Sequence, residues 1–148
     1  MSTVALLDVN ILVALFDPDH IHHELAHDWF SDQRLNGWAT CAITENGFVR
    51  IVTRPEYASP PNRPEEMLTR LEVFRKSGGH HFWADAVSLA DDRTFNQAFI
   101  RGHRQVTDIY LLGLAKAAGG CLATFDRTIP IAAVRGATDA TLQVITAQ

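Results

Sequence analysis

Four carboxylates fall where the sequence changes from one kind of element to another. Asp8 closes the apolar run VALLD and Glu45 lies in ITENGFVRIV. Asp108 lies in VTDIYLLGLAKAAGG and Asp126 closes CLATFD. An acid in a first helical turn is favoured by the helix dipole, and one at a strand end can simply form a turn. Taken together they imply more. Carboxylates gathered at one edge repel one another and raise each other's pKa values unless a cation neutralises them. An oxygen-only set suits a hard divalent ion, Mg²⁺ or Mn²⁺, which lowers the pKa of water and offsets charge developing on a phosphodiester. Asn10, Thr107 and Thr124 offer neutral oxygens or donors beside the acids, in support of such a set, while Arg127 reads as solvated.

The elements that must position these residues follow from hydrophobic spacing. VALLD reads as a buried strand and NILVALFD as a helix capped by Asn10. HIHHELAHDWFSDQ is a helix after the turn at Pro18, GWATC a strand, and ITENGFVRIV a helix capped by Thr44 with Phe48, Val49 and Val52 inward. RPEYASPPNRPEE is an exposed loop, EEMLTRLEVFRKS a helix, HHFWADAVSL a strand and DDRTFNQAFI a helix begun by acids. VTDIYLLGLAKAAGG is a helix capped by Thr107 and ended by Gly119, CLATFD a strand, and LQVIT the last strand. Strands separated by helices predict an α/β class, a three-layer α/β/α domain with a central parallel sheet. In such sheets sites form beyond the carboxyl ends of the strands, where all four acids are expected to converge.

Composition narrows the class. The 148 residues, 47% hydrophobic and 20% charged, suit a single domain spanning 1–148 with a substantial core. The net charge of -4 gives little bulk attraction to nucleic acid, so a nucleic-acid substrate would have to be met through bound cations. Cys41 and Cys121 read as two buried thiols, and no leader or spanning stretch is apparent, which points to the cytoplasm.

LLDVNILVALFD, WATCAITENGFVRIV and QVTDIYLLGLAKAAGGCLATFD, with HHFWADAVSL ahead of the third, resemble the motifs of PIN-domain nucleases, most closely the VapC toxins of bacterial toxin-antitoxin pairs. The order and spacing of the motifs carry the likeness through nearly the whole chain. Residue by residue, the resemblance implies Asp8, Glu45, Asp108 and Asp126 as metal-binding acids and Asn10 and Thr107 as polar support. It further implies a Mg²⁺-dependent endoribonuclease, a homodimer, and a cognate antitoxin whose C-terminal segment covers the site. The alternatives are a stand-alone RNA-processing nuclease and a non-catalytic interaction module.

Other chemistries fit less well. A haloacid dehalogenase-type phosphatase needs an acid where this chain has Asn10, and a phospho-receiver needs a lysine at a late strand end, whereas Lys76 and Lys116 lie in predicted helices. His23 and His27 share a helical face, but HHELAH is no HExxH zinc motif, so these read as solvated surface histidines. His80 and His81 should point to opposite sides of a strand. His103 alone is weak support for a metal-independent ribonuclease.

Overall fold

The computed structural model describes residues 3–147. In chain order its elements are β1 (Ala5–Leu7), α1 (Val9–Phe16), α2 (His23–Gln33), β2 (Trp38–Cys41), α3 (Ala42–Val52), α4 (Pro64–Arg75), β3 (His80–Trp83), α5 (Val106–Ala117), β4 (Cys121–Thr124) and β5 (Leu142–Val144). The strands form one parallel sheet in the order β3-β2-β1-β4-β5. Successive strand residues face opposite ways, so each strand feeds two cores. Ala5, Leu7, Trp38 and Ala123 pack against α1, α2, α3 and α4, whereas Leu6, Ala39, Cys41 and Leu122 pack against α5. The α/β/α architecture is the predicted one. Because both faces are covered, β1, β2 and β4 are buried throughout and read as apolar runs rather than alternating ones. Both cysteines are buried and free, as expected.

Several boundaries differ from expectation, each for a local reason. α1 begins at Val9 rather than at an Asn10 cap. Asp8 is the cap, extended at φ -60°, ψ 155°, with its own Oδ1 accepting the Val9 N–H at 2.7 Å. α3 begins at Ala42, and Thr44 sits in its first turn, where Oγ1 accepts the Cys41 N–H at 3.0 Å. α5 starts at Val106, so Thr107 lies inside the helix, not at its cap. The predicted α2 residues His20 to His22 remain in the turn region before His23. The expected strand HHFWADAVSL stops at Trp83.

DDRTFNQAFI is not a helix. Phe95 makes an isolated antiparallel bridge with Val134, and only Gln97–Phe99 form a short 3₁₀ turn. The segment is anchored by one fully buried ring rather than by an apolar helical face. Gly113 of α5 makes room for it, since a Cβ there would lie 2.3 Å from the Phe95 ring. His23 and His27 are not merely solvated: their rings, 4.4 Å apart, bond to the Ala14 and Leu15 carbonyls at 2.7 and 2.9 Å. They thus satisfy backbone acceptors near the end of α1 that the helix itself leaves open.

Candidate active site

β1 is the central strand, flanked by β2 and β4, so its carboxyl end emerges mid-edge. Asp8 stands there, buried to 5% exposure, at the junction of β1 and the N-terminus of α1. Its Oδ2 accepts the Thr124 hydroxyl at 2.8 Å. That hydroxyl oxygen in turn accepts the Asp126 N–H at 3.0 Å, so a single side chain at the end of β4 ties the first acid to the backbone of the last. Asp126 has its Oδ1 fixed by the Thr128 N–H and hydroxyl, both at 2.7 Å. Sequence reasoning passed over Thr128, although an Asp followed two residues later by Thr is the pattern of an Asx turn.

Asp108 reaches the same edge from the first turn of α5. Burial raises its pKa to about 6, with the negative charges of Asp8 and Asp126 adding to the rise and no hydrogen bond opposing it. Burial also raises Asp8, the bonds from Thr124 and Val9 partly oppose the rise, and Asp126 adds to it. Asp108 therefore lies in the field of both Asp8 and Asp126, and Asp8 in that of Asp126. Among the described residues no three acid, histidine or cysteine side chains stand close enough to hold a metal ion as they are.

Glu45 has different partners. From the first turn of α3 its Oε2 accepts the buried Thr40 hydroxyl at 2.6 Å, and the Arg75 guanidinium lies 3.5 Å away. Of the three supporting residues expected from sequence, Thr124 is the one hydrogen-bonded to an acid. Asn10 and Thr107 are exposed in the first turns of α1 and α5.

The donor set is all oxygen, with three carboxylates in mutual repulsion and Asp8 oriented by a neutral hydroxyl. This matches the chemistry of a hard divalent cation and not that of zinc held by nitrogen and sulfur. The model for the PIN domain matches residues 5–135. The chain is 46% identical to Ribonuclease VapC44 of Mycobacterium tuberculosis over 136 residues, 90% of this chain and 94% of that relative. It is 40% identical to Ribonuclease VapC39 of the same organism over 132 residues, 89% and 95% of the two chains. With Ribonuclease VapC38 the identity is 47% over 123 residues, 83% and 85%.

The chain is a VapC member of the PIN-domain family. For this PIN domain, the matched region runs from β1 past Asp126 and so includes the three coupled aspartates and Glu45. Among the described residues of the VapC chain, no helix is long and apolar enough to cross a membrane.

Proposed function

We propose that this PIN domain, spanning 1–148, is a cytoplasmic endoribonuclease that hydrolyses RNA phosphodiester bonds with Mg²⁺ or Mn²⁺. In this reading it is the toxin of a VapBC-type pair, homodimeric and held inactive by a cognate antitoxin. The observation that carries the reading is Asp108: burial, and after it the charges of Asp8 and Asp126, raise its pKa to about 6, and a positive ligand placed among the three would offset that cost.

Asp8, Asp108 and Asp126 would hold the ion, with Glu45 as the fourth acid. Such an ion supplies positive charge against the phosphodiester and lowers the pKa of nearby water. The chain's own contribution is orientation. Thr124 aims Asp8, Thr128 holds one oxygen of Asp126 and leaves the other free, and the N-terminal ends of α1 and α5 favour negative charge where the phosphate approaches. Exposed Asn10 and Thr107 offer neutral hydrogen-bonding groups to the strand of RNA.

Sequencing RNA ends after controlled expression of wild type and Asp8→Asn tests the reading. Water attack leaves a 5′-phosphate and a 3′-hydroxyl, absent from the variant. A cyclic phosphate would instead show attack by the ribose 2′-hydroxyl and end the proposal.

A further inference from the structure

His80 and Glu45 both meet one hydroxyl. Thr40, fully buried on β2, has its Oγ1 2.6 Å from Glu45 Oε2 and 2.7 Å from His80 Nε2 on β3. The register explains the meeting: Trp38 pairs with His80 and Thr40 with Phe82, so all four side chains lie on the sheet face that α4 covers. The His80 ring packs on Trp38 at 4.6 Å, and Arg75 of α4 lies over the Phe82 ring at 5.3 Å while its guanidinium faces Glu45.

A hydroxyl has one proton to give. Glu45 Oε2, 2.6 Å away and facing the Arg75 guanidinium, accepts the Thr40 proton, so the second close contact must be donated by the imidazole. That fixes the tautomer. His80 carries its proton on Nε2, and Nδ1 is bare. Burial and the Arg75 charge push its pKa down to about 4, so at neutral pH the ring has a single N–H and the assignment is unique.

We propose that Thr40 and His80 are positioning residues for Glu45. The chain of bonds from His80 Nε2–H to Thr40 and from Thr40 O–H to Glu45 Oε2 holds that carboxylate in one rotamer, ready to bind a divalent cation. The inference rests on the reading of Glu45 as a metal-binding acid. It adds two residues, one contributed by a strand 35 positions downstream of Glu45 in the sequence. Partners that orient a ligand in this way are worth about 10–100-fold in metal affinity.

Two measurements on the RNA-free protein test it. Long-range ¹H–¹⁵N correlation on wild type should show His80 protonated at Nε2, and an Nδ1–H tautomer overturns the proposal whatever the variants do. Mn²⁺ titration should show ~10-fold or greater weakening in Thr40→Val and His80→Leu, with Thr40→Ser and His80→Gln, which keep a donor in place, recovering most of the affinity. If Glu45→Gln weakens Mn²⁺ binding while Thr40→Val and His80→Leu do not, the positioning role fails and the metal role of Glu45 stands. If Glu45→Gln also binds Mn²⁺ like wild type, the metal role of Glu45 fails and the proposal falls with it.

Discussion

Replacing Asp108 with asparagine should make the metal-free protein more stable while abolishing cleavage. The folded-state pKa is raised from 3.8 to about 6. At 1.36 kcal/mol per pK unit, that is ~3 kcal/mol against the ionised form. The carboxyl is only half-buried and water screens it, so ~1 kcal/mol is the stability at stake. The sign follows from linkage. The folded state holds its proton over a pH range in which the unfolded chain has released it, so wild type loses stability as pH rises from about 4 to about 6. Asparagine, uncharged and similar in shape, does not titrate and forfeits no hydrogen bond. In EDTA at pH 7.5, Asp108→Asn should melt ~3 °C above wild type. The gap should close at pH 4, where wild type is protonated. Saturating Mn²⁺ should reverse the order, because binding at one hundred times Kd adds about 2.7 kcal/mol to whichever protein retains the site. A variant that melts below wild type in EDTA at pH 7.5, or a gap that persists unchanged to pH 4, would refute the repulsion argument and make Asp108 a structural acid.

Thr124→Val should cost ~1–3 kcal/mol at pH 7.5 by leaving the buried Asp8 oxygen without its donor, and Thr124→Ser should restore most of it; chemical denaturation of the two variants decides. Gly113→Ala should lower stability by ~2 kcal/mol despite alanine's better helix propensity, since the new methyl meets the fully buried Phe95 ring; a thermal melt equal to wild type would mean that the ring can move aside. Tyr57→Phe removes the 2.6 Å bond from the phenol to Asp17, the main cause of that acid's lowered pKa. A lowered acid stabilises above its unfolded pKa and stops doing so as pH falls through its folded value. The variant should therefore be less stable by ~1 kcal/mol at pH 7 and converge with wild type as pH falls below about 4, as paired denaturation curves at the two pH values would show.

What the sequence disclosed was the order of elements and the edge at which the aspartates meet, because each acid interrupts an apolar run whose period could be read. Asp8 follows three buried residues of β1 and Asp126 follows four of β4, and parallel strands place both ends on one side. Local chemistry was misread where one residue has two roles. Asp8 is strand end, helix cap and site residue together, so the cap was assigned to Asn10 two positions late. DDRTFNQAFI imitates a helix start, since the acids that favour a first turn serve here in turns: Asp91 Oδ1 accepts the Arg93 N–H at 3.0 Å. The partners of Glu45 left no local mark, because Arg75 reaches it from 30 positions away in sequence and His80 meets its Thr40 partner from 40 positions away.

Placing a repulsive set of acids at the middle of the sheet, rather than on a loop, has a mechanical consequence. Asp8 cannot retreat from Asp108 and Asp126 without moving β1, whose Ala5, Leu6 and Leu7 are fully buried between two cores. Moving it would also break the bond from Thr124 and the cap on α1. Native stability is only about 5–15 kcal/mol in total, so a cost of ~1 kcal/mol at Asp108 from burial and repulsion together is tolerable, whereas shifting a close-packed central strand is not. The repulsion is therefore held in the folded protein rather than relaxed by rearrangement, and a cation binding as proposed would gain what the carboxylates lose by standing near one another. In the proposed reading, selectivity for doubly charged ions would follow from the same rigidity: a singly charged ion would offset less of the field, and a soft ion would find no sulfur or nitrogen among these acids.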